Sequence, residues 1–288
     1  MSSVVSVESN TNGQRGNSRS INGTKILSTL IGITIIVAIL APLVPLVIWS
    51  FGSSWFFPDL LPSKVSMRAW TYVFSETSRA MEALWQGTLI ALAATLLSMI
   101  ISIPAGRALG LYTFRGKRVV EFLILAPVII PVLAVAMGIH IAFIRFGLAD
   151  TVLGVVIVHL IPTTPYVVMV MSSVFANYEP EYEEQARTLG AGPWRTFIHV
   201  TFPAIFPGLL VAGMFAFIIS WGQYILTLLI GGGRVVTLPL LLFSFASSGD
   251  NSVTAALSMI YLLPAILILI VTSKYLTGEG AAMGGFGA

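Results

Sequence analysis

The chain has 288 residues, 56% hydrophobic and 9% charged, with a formal net charge of +3 and no cysteine. Soluble domains carry about 25% charged residues, so there is too little charge to cover a globular surface of this size. Lipid must supply much of the contact, and the composition is that of an all-α, multi-span membrane protein. The dispersed basic residues give no nucleic-acid signal, and the lack of cysteine excludes disulfides and thiol chemistry. His140, His159 and His199 match no metal spacing.

Residues 1–25 are rich in Ser, Asn, Gly and Thr and read as a disordered cytoplasmic tail rather than a cleaved signal peptide. The first span is expected at about 26–49, bent by Pro42 and Pro45, with Trp49, Trp55 and Phe57 in an interface belt. Residues 50–80 form an external loop in which Trp70, Tyr72, Val73 and Phe74 make a short surface element. That loop caps the translocation path, touches a delivery protein, or packs over helix ends. The second span, 84–106, is interrupted by Thr88, Ser98, Ser102 and Pro104. The basic run that follows, with Arg107, Arg115, Lys117 and Arg118, is an inside signal.

The third span, 119–143, carries Pro127 and Pro131 one turn apart. Such a pair predicts a broken helix, tolerated where protein or a water path meets the freed carbonyls. The span is therefore placed beside the pathway. In the fourth span, 151–175, His159, Pro162, Thr163, Thr164, Pro165 and Tyr166 form a polar cluster. It either lines the path or serves interhelical hydrogen bonds. The fifth span, 204–230, has Gly208 and Gly213 for close contact. Its polar and aromatic patch, including Trp221, Gln223 and Tyr224, is a candidate gate or an interface with a partner subunit. Residues 231–252 suit a partly inserted outer loop or a short helix, 253–275 a sixth span with Pro264 inside it, and 276–288 a glycine-rich cytoplasmic tail.

Between the fourth and fifth spans lies the longest polar-rich interval. It holds four of the chain's 12 acidic residues: Glu179, Glu181, Glu183 and Glu184. Pro180 sits where a helix begins, and the acids fall in its first turns, where the dipole favours them. Tyr182, Ala186 and Leu189 follow at helical spacing as an apolar face, and Gly190 ends the helix. A second short helix is expected from Pro193 through Trp194, Phe197, Ile198 and His199 to just before Pro203. This elbow fits a groove on a partner protein, or rests on the membrane surface. Six spans with both termini inside place ten of the 15 Lys and Arg residues on the inner side, the elbow's Arg187 and Arg195 among them. The elbow is therefore cytoplasmic.

The run Glu184-Gln185-Ala186-Arg187-Thr188-Leu189-Gly190, followed by Val200 and then Phe202-Pro203, resembles the EAA signature of binding-protein-dependent ABC importer permeases. That signature is Glu-Ala-Ala, three residues, Gly, nine residues, an aliphatic residue, one residue, then Leu-Pro. Gln185 and Phe202 depart from it. The resemblance implies a type I fold of six transmembrane helices in the plasma (inner) membrane of a bacterium or archaeon. It further implies a second permease subunit, two cytoplasmic ABC ATPase subunits and an extracytoplasmic substrate-binding protein. Glu184, Gln185, Ala186, Leu189, Gly190 and Pro203 become ATPase-coupling positions, with loop 177–203 as the coupling loop. The proline-rich third and fourth spans and Thr237-Leu238-Pro239 look like the spermidine/putrescine type; the run from Lys274 to Gly280 looks like the sugar-importing branch.

Pro127, Pro131, His159, Thr163, Thr164, Tyr166, Trp221, Gln223 and Tyr224 are the pathway or gate candidates. No phosphate loop, carboxylate pair or metal motif is present, so no cofactor is expected and ATP hydrolysis belongs to a separate subunit. An ion-coupled carrier, the main alternative, would carry charges deep in its spans.

Overall fold

The computed structural model describes residues 18–54, 59 and 62–276. Helix α1 (Ser18–Leu40) begins within the expected tail, so residues 18–25 are helical; residues 1–17 and 277–288 of the two expected tails lie outside the described residues, as do Trp55 and Phe57 of the interface belt. The chain turns at Ala41 and Pro42 and continues as α2 (Leu43–Ser50). The apolar length of α1 is unburied by the rest of the chain, so its surface is left for lipid or another subunit, whereas α2 packs against the last helix.

A small antiparallel hairpin, β1 (Gly52–Ser54) with β2 (Lys64–Val65), leads into α3 (Arg68–Val73). This segment is tied to the turn before the last helix: Arg68 Nη2 donates to both Asp250 oxygens at 2.9 and 3.0 Å, and Ser252 Oγ donates to the Gly52 carbonyl.

The centre is built from α4 (Ala80–Leu111), α7 (Val152–Ala176) and α10 (Phe202–Trp221). At about 1.5 Å per residue, the 32 residues of α4 outreach a hydrocarbon layer of about 30 Å, so its basic end projects beyond the lipid. The expected interruptions do not occur: α4 runs unbroken through Ser98, Ser102 and Pro104. Ala94, Ser98, Ser102 and Gly106 recur every fourth residue and are all buried, giving a small-residue stripe along which α7 comes close. Lipid tails are as apolar as leucine, so close van der Waals approach and hydrogen bonds hold such helices together. A Cβ on Gly106 would lie 2.5 Å from Met171 Cβ, and one on Gly110 would lie 2.6 Å from Phe175 Cβ. Across the same seam Ser98 Oγ meets Thr163 Oγ1 at 2.6 Å.

The third span is two helices, α5 (Lys117–Ile129) and α6 (Val132–Arg145), bent by 98° at Ile130 and Pro131. Five other helical segments are long and apolar enough to cross a membrane, and the bent pair makes six if it is one span. Connectivity says that it is. The end of α4 touches the segment that follows α7, so both lie at one face. The start of α7 lies a full span away, where the Asp150 N–H donates to the Ile230 carbonyl at 2.7 Å. Only α5 and α6 carry the chain between those faces.

After α7 come α8 (Glu181–Thr188) and α9 (Pro193–Thr196). The expected second short helix does not stop before Pro203. It passes through one π-helical turn, Phe197–Thr201, directly into α10. Proline has no N–H to give to the carbonyl four residues back, and the turn widens just ahead of it, Phe202 N–H donating to the Phe197 carbonyl. At the far end α10 stops at Trp221, short of the expected 230; α11 (Ile225–Gly231) and α12 (Leu238–Ser248) precede α13 (Asn251–Leu276).

Candidate functional site

The elbow is organised around a residue that the sequence reading treated only as one acid among four. Glu183 is 5% exposed, and among the described residues it is the buried member of α8. Arg107, near the end of α4, grips it with both ends of the guanidinium: Nη1 to Oε1 at 2.6 Å and Nη2 to Oε2 at 2.9 Å. Thr201 Oγ1, on the π-turn, donates to Oε1 at 2.9 Å, and Arg187 Nη2 reaches Oε2 at 3.4 Å. The Arg107 guanidinium also lies over the Phe175 ring of α7, 5.7 Å from its centroid.

The hydrogen bonds from Arg107 outweigh burial and hold the Glu183 carboxyl below its ordinary range. A depressed carboxyl pKa stabilises the fold fully above the unfolded-state value. That contribution is lost as pH falls through the folded-state value, so the ion pair's share of the stability is present at neutral pH and is lost in acid.

The signature positions lie on the outer side of this anchor. Glu184 and Gln185 are exposed, Ala186 is half-buried, and Gly190 closes the helix with φ +85°. Its N–H donates to the Arg187 carbonyl at 2.9 Å, and Ala191 N–H to the Ala186 carbonyl at 3.0 Å. A side chain there would be strained, because that φ favours glycine. The expected apolar face is only partly packed: Tyr182 and Ala186 are half-buried, but Leu189 is 89% exposed. Trp194, at 74% exposure, and Ile198 are further exposed apolar side chains of the elbow. Pro203, also exposed, lies at the start of α10 rather than on the elbow.

The pathway candidates separate into three groups. Pro127, Pro131, Tyr166 and Gln223 share one cavity of about 410 Å³, lined also by Ile130, Val135, Pro162, Ile219 and Leu226. It opens where α5 bends into α6 and where α10 gives way to α11. Its described lining carries no charged residue, and Gln223 with Tyr166 supplies its polar side chains.

His159 and Thr163 are buried behind this cavity in a hydrogen-bonded chain. His159 Nδ1 meets Ser220 Oγ at 2.8 Å and Nε2 meets Thr227 Oγ1 at 2.9 Å, while Thr163 Oγ1 donates to the His159 carbonyl at 2.8 Å. Thr164 Oγ1 lies 3.4 Å from Ser98 Oγ. These contacts pin α7 to both sides of the break between α10 and α11.

The third group faces elsewhere. Trp221 is stacked between Phe217 and Tyr261 at 6.0 and 5.5 Å, with its Nε1–H donating to the Tyr261 carbonyl at 3.1 Å, and Tyr224 packs on Phe243 at 4.6 Å.

Comparison with known proteins agrees with this architecture. The chain is 28% identical to the putrescine transport system permease protein PotI of Escherichia coli strain K12, over 83% of this chain and 85% of that one. It is 25% identical to the putative 2-aminoethylphosphonate transport system permease protein PhnV of Salmonella typhimurium, over 86% and 93%. Among solved structures, a bacterial ABC transporter involved in the import of the acidic polysaccharide alginate superposes with a TM-score of 0.69, covering 91% of this chain and 99% of that one at 20% identity. Residues 102–276 match the family model of the binding-protein-dependent transport system inner membrane component. That match takes in α7, the elbow, the cavity and α13, and with it the chain belongs to this family, as a non-catalytic permease subunit of an ABC importer.

Proposed function

We propose that this chain forms half of a translocation path with a second permease subunit. In this reading the edge formed by Glu184, Gln185, Leu189 and Gly190 is held in a groove on one of two cytoplasmic ATPase subunits, and substrate arrives from an extracytoplasmic binding protein. An ATPase and a binding protein are the partners that the family implies. The observation that carries the docking assignment is the pairing of a fixed inner side of α8 with an apolar outer edge. Leu189, just past the end of α8, and Trp194, on α9, are exposed, while α8 itself is anchored by a buried ion pair. Exposed apolar groups rimmed by charge mark protein contacts. The uncovered surface of α1 is available to lipid or to that second subunit.

A small amine, a polyamine first, is the proposed cargo. The relatives named for putrescine and for 2-aminoethylphosphonate both handle a primary amine on a short carbon chain, and Tyr166 offers an exposed aromatic face to a cation in the cavity. A neutral sugar is the second reading, favoured by the lack of a carboxylate in the described cavity lining. The wider placement is a bacterial inner membrane with both termini cytoplasmic. Mild-detergent purification tests the assembly: an ATPase in fixed ratio with this chain supports it, and full uptake by this chain alone ends it. Titration of the associated binding protein with polyamines, aminophosphonates and sugars tests the cargo.

A further inference from the structure

The Arg107–Glu183 pair has so far served only to anchor α8, which has no other buried side chain among the described residues. At its ends α8 hangs on short connections. Residues 177–180 join it to α7, and residues 189–192, with Gly190 at φ +85°, join it to α9. An added Cβ at Gly190 or Gly192 would meet nothing within 4 Å, so neither glycine of that second connection is closely packed. A push on the exposed edge of α8 would rotate the helix about these connections unless something across its inner face resists. The Glu183 carboxylate is that resistance. It receives α4 through Arg107 and the start of α10 through Thr201, and Arg107 in turn rests on Phe175 of α7.

If holding α8 down were the only need, apolar side chains would serve. Removing two charges from water offsets most of their attraction, and well-packed hydrophobic replacements are often as stable. A two-point guanidinium–carboxylate contact adds something they lack, a fixed orientation. An apolar patch permits sliding; a pair of parallel N–H···O bonds at 2.6 and 2.9 Å does not.

We propose that Glu183 and Arg107 form a clamp that turns displacement of the elbow into movement of α4, α7 and α10 as a unit, and that both are positioning residues for coupling. The proposal rests on the elbow being the ATPase contact. Glu184, one residue on, faces the partner; Glu183 faces the chain's own spans. Adjacent acids thus divide the task, one receiving the push and the other passing it on.

The chain has no native cysteine, which makes a reversible test available. The Arg107→Cys/Glu183→Cys double variant is reconstituted with its ATPase and binding protein, and substrate moved per ATP hydrolysed is measured before and after bridging the thiols with a short bifunctional thiosulfonate. The expected result is at least a tenfold fall in that ratio while the thiols are free, with the ATPase still bound in the wild-type proportion, and recovery of most of it on bridging. Glu183→Gln and Arg107→Gln should match the unbridged state. Arg107→Lys, which keeps the charge but not the two-point contact, should fall between.

Wild-type coupling with free thiols overturns the proposal, as does failure of the bridge to restore it. Loss of uptake only in proportion to loss of bound ATPase also overturns it, by making Glu183 a folding residue. Leu189→Asp in parallel isolates the underlying assumption: if the ATPase still binds that variant normally, it is the docking reading that falls.

Discussion

At the elbow a carboxylate is buried, a guanidinium grips it with two hydrogen bonds, and a hydroxyl completes its coordination. At the bent third span no residue of α5 is buried, and the adjoining cavity of about 410 Å³ is lined mostly by apolar side chains and prolines, with Gln223 and Tyr166 as its polar members. In the proposed cycle the first region fixes direction and the second yields. An importer needs both: a movement imposed at the cytoplasmic face must arrive undiminished, and some element in the bilayer must yield to it. Hydrogen-bonded charge suits the first task because it specifies geometry. A proline-broken helix with few packing partners suits the second, because its freed carbonyls have already given up the helical ladder.

The sharpest way to break this contrast is to soften the stiff end at its turn. Gly190→Pro is expected to reduce uptake tenfold or more with the protein still in the membrane. Proline is held near φ −65°, far from the +85° required, and it deletes the N–H donated to Arg187. Gly190→Ala should cost much less, since nothing lies within 4 Å of an added Cβ and only the backbone strain remains, about 1 kcal/mol. Uptake and ATP hydrolysis measured together in proteoliposomes check both. Normal uptake by the proline variant would show that the turn transmits nothing.

The seam that carries the load should tolerate little. Gly110→Val places a Cβ 2.6 Å from both Phe175 Cβ and the Ser172 carbonyl oxygen, so α4 and α7 must separate. Overpacking of this kind costs about 1–3 kcal/mol, and the expectation is a clear fall in thermal stability in detergent. The same change at Gly138, with nothing within 4 Å of its Cβ position, should leave thermal stability nearly unaltered.

Much of the elbow could be read from residue order because its signals are local. Pro180 at a helix start, acids in the first turn and Gly190 at the stop act within a few residues of one another, and the structure bears out the helix and its positive-φ end. The clamp was missed because its partners lie 76 positions apart and Glu183 already had a local explanation at the helix N-terminus. One signal was available: Arg107 directly follows Gly106 on a stripe of small residues that must face protein, and a cation beside such a seam needs a carboxylate nearby. The lost boundary before Pro203 has another cause. Proline reads locally as a helix break, but a widened turn absorbs the missing donor and the helix continues. In the bilayer the prolines of the third span predicted its break, while the bend of 98° and the cavity beside it depend on α7 and α10, which no local pattern describes.

Between the stiff and yielding regions stands His159, tying α7 to Ser220 and Thr227 on either side of the α10–α11 break. His159→Leu leaves the Ser220 hydroxyl facing hydrocarbon, while Thr227 Oγ1 keeps its bond to the Gln223 carbonyl at 2.9 Å. An unpaired buried polar group costs about 1–3 kcal/mol, so the variant should unfold at lower temperature than wild type. Ser220→Ala in the same background should recover part of the loss, because it removes the stranded hydroxyl. If both variants unfold like wild type, the chain of hydroxyls is incidental to holding that break.

The smallest effects are expected at the cavity, where they also bear on the cargo. Gln223→Ala removes one neutral hydrogen-bonding group, a loss of about 0.5–1.5 kcal/mol, or a factor of roughly 2–10 in the concentration for half-maximal uptake. Tyr166 separates the two cargo classes. An ammonium over its ring is attracted by the aromatic face, by about 0.5–2 kcal/mol, and Tyr166→Phe keeps that face whereas Tyr166→Leu does not. A neutral sugar would instead use the hydroxyl, which both replacements lack. Uptake by the phenylalanine variant close to wild type, with the leucine variant several-fold weaker, identifies a cationic cargo. Equal losses in the two identify a hydroxyl-bonded one and remove the amine from consideration. The cavity is the place to ask, because a side chain in the yielding region can change what passes without changing how the push is delivered.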